Sequence, residues 1–191
     1  RMPRPNQNVA EHPAEAWRQN LRGDHDTQLR GPRPEWWWTG LAPAACPGRQ
    51  PDGTLTALPQ PNLATCTREA VLATFDNCWT LTETLFAGLQ GEEAFYRPPY
   101  HHLRHPMIFY YCHPAALYIN KLRVAGLIKA PLNPYFERIF ETGVDEMRWD
   151  DMSKNEMQWP SFAEAHTYRQ QVYATVREVI LPRLEALGLP A

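Results

Sequence analysis

The sequence predicts an all-α protein: three long helices preceded by an irregular, proline-rich arm. Three observations carry this. From residue 67 onward, apolar residues recur at spacings of three and four over long windows, the period of a helix with one buried face. No run of four to eight residues alternates as a half-buried strand would. Ten of the 19 prolines fall within residues 1–66, where the apolar residues keep neither period. At 191 residues the chain is long enough to bury a core without disulfides, as one domain or one domain with an appendage.

The arm, residues 1–66, contains Pro47-Gly48-Arg49-Gln50-Pro51-Asp52-Gly53, which is turn chemistry. It is expected to be partly disordered or wrapped on the helices. Its exception is Trp36-Trp37-Trp38. Each indole buries about 150–250 Å², so leaving three in water is costly. The run reads as an anchor docking the arm onto the helices, or as a contact for a partner or neighbouring domain.

The helical part, residues 67–191, opens with Thr67 as N-cap. Val71, Phe75, Cys78, Thr82, Leu85 and Leu89, with Leu72, Trp79 and Phe86 beside them, then mark a broad apolar face on a helix of about 22 residues, with a stop near Gly88 or Gly91. A second helix starts at His105-Pro106 and carries Ile108, Cys112, Ala115, Ile119 and Leu122 to about Gly126. Pro114 inside it removes one backbone hydrogen bond and is expected to bend it. Asn133-Pro134 caps a short helix with Phe136, Ile139 and Phe140 inward and Gly143 as its stop. An acidic connector spans 145–152. Ser161-Phe162-Ala163-Glu164 is a capping box for a third long helix bearing Tyr168, Val172, Val176 and Ile180, interrupted at Pro182 before Leu184 and Leu187. Bundles usually have four helices. Three faces this apolar call for a fourth, and this chain is expected to lack it.

The net charge of −2, from 19 basic and 21 acidic residues, gives no electrostatic reason to expect nucleic acid or an anionic membrane as partner. The mean hydropathy is −0.52 and no apolar run approaches the roughly 18 residues of a membrane span. The first residues, Arg1-Met2-Pro3-Arg4, lead into no hydrophobic core, so no secretory signal is expected; starting at Arg rather than Met suggests a fragment. Cys46, Cys66, Cys78 and Cys112 form no zinc-ligand spacing and read as reduced thiols in a cytoplasmic protein, with Cys78 and Cys112 as small buried hydrophobes.

The residues able to carry chemistry are histidines. His101 and His105 are spaced as two ligands on one helical turn, but Pro98, Pro99 and Pro106 bracket them, so the segment is not expected to be helical; His105 reads as a cap or a structural hydrogen bond. His113 lies one step off the Cys112 stripe, at the edge of the bundle interior, where bundles build metal sites; a hydrogen-bonded interior histidine is the competing reading. The carboxylates of 145–151 lack calcium-loop spacing and read as a solvated loop. There is no phosphate-cradling glycine loop and no nucleophile elbow.

Several runs resemble one family. They are Arg104-His105-Pro106 with Phe109-Tyr110-Tyr111-Cys112-His113, then Ile119-Asn120-Lys121-Leu122, Gly143-Val144-Asp145-Glu146-Met147, Trp149-Asp150-Asp151 and Trp159-Pro160-Ser161. Together they look like the N-terminal DinB-like helical domain of 5-histidylcysteine sulfoxide synthases, over roughly residues 67–181. Those are non-haem iron enzymes of ovothiol biosynthesis, related to the ergothioneine synthases.

The resemblance implies a DinB-like bundle and a whole enzyme that uses Fe(II) and O₂ to couple cysteine sulfur to the histidine imidazole. Three histidines hold the iron in such enzymes, one of them at the position of His113. The other two come from a later H-x-x-x-H-x-E, and a downstream formylglycine-generating-enzyme-like domain completes the site. This sequence departs from that pattern. No H-x-x-x-H-x-E occurs in its 191 residues, since His101 and His105 precede His113 and are followed by Met107. Cys112 and Pro114 stand where a small residue and a non-proline are expected. Two expectations follow: part of an iron-dependent sulfoxide synthase, inactive by itself, or a non-catalytic helical interaction module.

Overall fold

A computed structural model of the chain describes residues 25–101, 104–141 and 158–183. Among these the protein is helical, with six α-helices and no strand. The helices are α1 (His25–Gln28), α2 (Arg68–Phe86), α3 (Glu93–Tyr96), α4 (Met107–Val124), α5 (Pro134–Ile139) and α6 (Phe162–Arg183). The all-α class is therefore observed, with α2, α4 and α6 as the three long helices. Helix α6 packs against both α2 and α4, while α3 and α5 pack on α4. None of the described helices is long and apolar enough to cross a membrane. Residues 1–24, the connector 145–152, Gly143, His102, Leu184 and Leu187 lie outside the described residues.

Local chemistry sets the helix ends as expected. The Thr67 side chain accepts the Ala70 N–H at 3.2 Å. Asn133 Oδ1 accepts both Tyr135 and Phe136 N–H at 3.1 Å, and Pro134 follows at the first helical position. Ser161 and Glu164 form the capping box: Glu164 N–H donates to Ser161 Oγ at 3.3 Å, and Ser161 N–H donates to Glu164 Oε2 at 2.8 Å. Helix α4 begins after Pro106, which is its N-cap in place of His105, and runs unbroken through Pro114. Helix α6 likewise runs on through Pro182 to Arg183, where the sequence had suggested an interruption.

The arm is ordered over 25–66 without regular structure beyond α1, two 3₁₀ turns at Glu35–Trp37 and Pro43–Ala45, and one isolated bridge between Arg49 and Leu55. It is wrapped on the helices. Trp37 is fully buried, stacked on Tyr111 and Phe162 at ring separations of 5.7 and 5.8 Å. Trp36 and Trp38 are half-buried against the same core. The tryptophan run is thus an anchor to the bundle.

The expected stripe of α2 is corrected. Cys78 is exposed and Leu85 is 79% exposed. Phe75 of that stripe and Trp79 beside it are buried, and with them Asp76, Asn77, Thr80 and Glu83. The arm supplies the reason. An irregular segment laid on a helix brings backbone N–H and C=O groups that need partners, and α2 provides them. Asn77 accepts Leu58 N–H at 3.0 Å and donates to Thr56 O at 2.9 Å. Thr80 donates to Leu41 O at 2.7 Å. Gly40 permits this close approach: a Cβ there would lie 2.6 Å from Trp79 Cδ1 and 2.8 Å from Tyr173 Cε2. Cys112, by contrast, is fully buried as expected, and burial pushes its thiol up to about 12. All four cysteines are free thiols.

Candidate functional site

His113 sits on α4 between the buried Cys112 and the half-buried Pro114, and is itself half-buried. Two contacts fix its ring. It stacks on Phe109, one turn earlier, at 5.2 Å and 20°. Its Nδ1 lies 2.5 Å from the carbonyl oxygen of Phe140, the C-cap of α5. A carbonyl only accepts, so Nδ1 carries the proton and donates. The neutral ring then has its lone pair on Nε2, the arrangement seen when a carbonyl orients a metal-binding imidazole. Phe140 is itself held by stacking on Trp159 at 5.9 Å.

The other sequence candidates do not join His113. His101 is exposed. His105 is buried and packs its ring on Phe109 at 4.2 Å, on the same aromatic residue that carries His113. Its backbone N–H donates to Tyr110 Oη at 3.4 Å. Among the described residues, no three His, Cys, Asp or Glu side chains group as a metal site. His113 fits one coordination position of a divalent first-row metal, and the described residues do not supply the rest.

No protein-family model matches the chain, and none of the curated proteins matches it.

Two polar clusters escaped the sequence reading. The first is central. Glu83 of α2 and Arg169 of α6 are both fully enclosed and form an ion pair at 3.1 Å. Arg169 also donates to Tyr111 O at 2.5 Å. Its guanidinium lies 4.5 Å from the Trp79 ring centre and 4.3 Å from that of Tyr111. Glu83 also accepts the Thr39 N–H, the Thr39 hydroxyl and the Trp79 indole N–H. One carboxylate thereby ties the arm, α2 and α6 together. The visible signal was Asp76, Thr80 and Glu83 at helical spacing, three polar residues on one line of the helix beside Phe75 and Trp79.

The second cluster lies where the arm meets the start of α6. His25 Nδ1 is 3.2 Å from the buried Glu92 carboxylate, beside a cleft of about 470 Å³ that Ser161, Glu164 and Trp159 also line. Behind it, His166 donates through Nε2 to the Trp36 carbonyl at 2.6 Å and accepts from Tyr111 Oη at Nδ1, 3.3 Å away. Burial pushes His166 down to about 4, so it is neutral in the folded protein near pH 7. These residues are far apart in sequence and share no local motif, which is why the sequence did not single them out.

Proposed function

We propose that the chain is the DinB-like helical domain of a non-haem iron sulfoxide synthase, with residues 1–66 as its arm and 67–191 as its helical part, and that His113 Nε2 is one of three histidine ligands to Fe(II). The observation that carries this is the Phe140 carbonyl bound to His113 Nδ1. It selects the tautomer whose free nitrogen is the ligand, in the residue that the family resemblance marks independently. In this reading the other two histidines belong to a later helix of the whole protein, and most substrate contacts to a downstream formylglycine-generating-enzyme-like domain. The iron when bound supplies O₂ activation; the substrates are cysteine and histidine, in a cytoplasmic ovothiol pathway. What this chain contributes is one imidazole at a fixed angle, aimed by Phe109 and Phe140, on a bundle locked by Glu83 and Arg169.

The test is made in the intact gene product. Fe(II)- and O₂-dependent sulfoxide formation from cysteine and histidine is expected, and His113→Ala should abolish it while leaving thermal unfolding within a few degrees of wild type. Near-normal turnover by that variant removes the ligand assignment. Absence of sulfoxide in the wild-type protein would favour the helical interaction module.

A further inference from the structure

We propose that Asn120 is a positioning residue for His113, acting through the end of α5. The inference rests on the reading of His113 as a ligand, but its first test does not.

Asn120 lies two helical turns beyond His113 on α4 and is buried. Its Nδ2 donates to two acceptors, the Glu137 carbonyl at 3.1 Å and Glu141 Oε2 at 2.8 Å. Those residues bracket Phe140. The Phe140 carbonyl belongs to the last turn of a helix, where carbonyls have no intrahelical donor. His113 Nδ1–H supplies the donor. The position of that carbonyl therefore depends on how the end of α5 is clipped to α4, and Asn120 of α4 hydrogen-bonds residues on both sides of Phe140. The opposite end of α5 is held separately: Glu137 Oε1 accepts Leu132 and Asn133 N–H at 2.8 and 3.1 Å.

A histidine in water prefers its proton on Nε2. His113 holds it on Nδ1 because one carbonyl is fixed in place. Releasing the end of α5 lets the proton return to Nε2, and the nitrogen that would bind metal then has no lone pair to offer. Groups that orient a ligand from behind typically change metal affinity by about 10–100-fold.

The tautomer is measured directly on the 191-residue chain by long-range ¹⁵N–¹H correlation of labelled histidine. The wild-type protein should show His113 protonated on Nδ1. Asn120→Ala should shift it to a mixture or to Nε2–H. Asn120→Leu, which fills the site without donors, should do the same if the smaller side chain fails to fold. Glu141→Gln keeps an acceptor for the amide and should retain the wild-type pattern. A merely structural Asn120 would lower stability without moving the tautomer. A folded Asn120→Ala or Asn120→Leu protein still protonated on Nδ1 overturns the inference, as does a wild-type protein protonated on Nε2. Iron content of the intact gene product separates the two claims. A shifted tautomer with about 10–100-fold weaker iron binding supports both. A shifted tautomer with unchanged iron binding keeps the positioning role and removes the ligand reading.

Discussion

The Glu83–Arg169 centre joins α2, α6 and the arm, the His113 rim joins α4 to the end of α5, and the two use polar side chains in opposite ways. At the centre, Glu83 takes four donors from three segments, and the Arg169 guanidinium is enclosed by two aromatic faces, an ion pair and a carbonyl. Nothing there faces solvent. At the rim, His113 is half-buried, and among the described residues its ring is held by Phe109 and, through Nδ1, by the Phe140 carbonyl. A charge buried with its partners is consumed by structure. An imidazole fixed through one nitrogen has, among the described residues, the other nitrogen left over. The cluster with more polar contacts is thus the one in which every contact described joins protein to protein.

The sharpest way to break the comparison is to open the centre. Glu83→Ala leaves the Arg169 charge buried without its carboxylate and strips the Thr39 N–H and hydroxyl of their acceptor, while the Trp79 indole keeps Thr39 Oγ1 at 2.9 Å. Breaking a buried pair from one side costs about 3–5 kcal/mol, and the variant should lie at the upper end of that range in urea unfolding, with Trp fluorescence reporting loss of arm docking. A loss under 1 kcal/mol would show that the network is incidental. Trp37→Ala removes the arm's fully buried anchor and should cost about 3–5 kcal/mol on the same assay. If the arm docks without it, limited proteolysis of residues 25–66 will match wild type.

A third effect is pH-dependent. His166 titrates near 4 folded, because burial penalises its charged form, against about 6.5 unfolded. Between those values the unfolded state binds more protons, so stability falls as the pH is lowered from about 6.5 to 4, by at most about 3 kcal/mol from this residue. The groups around it are Arg169 and His25, both of which disfavour its protonation. His166→Gln should flatten the urea midpoint between pH 7 and 4.5; an unchanged slope would place the titration elsewhere.

The period of α4 and the caps of α5 and α6 were legible because they depend on neighbours in sequence: Asn133 with Phe136, Ser161 with Glu164. The anchoring tryptophans were legible from the cost of hydrating indole. The rotation of α2 was not. Its buried face is decided by the arm's backbone, which needs Asn77, Thr80 and Glu83 more than the core needs Cys78 or Leu85, and that demand comes from residues 39–58. His113 was legible as a candidate by its position, but not the carbonyl that orients it, since Phe140 is 27 residues away.

If His113, and not the closed ion pair, is the chemical group of this chain, the His113 imidazole holds iron. Iron content of the intact gene product, measured after anaerobic loading with Fe(II) and desalting, tests it most directly. The account predicts about one iron per wild-type chain. It predicts near-complete loss in His113→Ala, with thermal unfolding within a few degrees of wild type. Wild-type iron stoichiometry in the His113→Ala protein would contradict it.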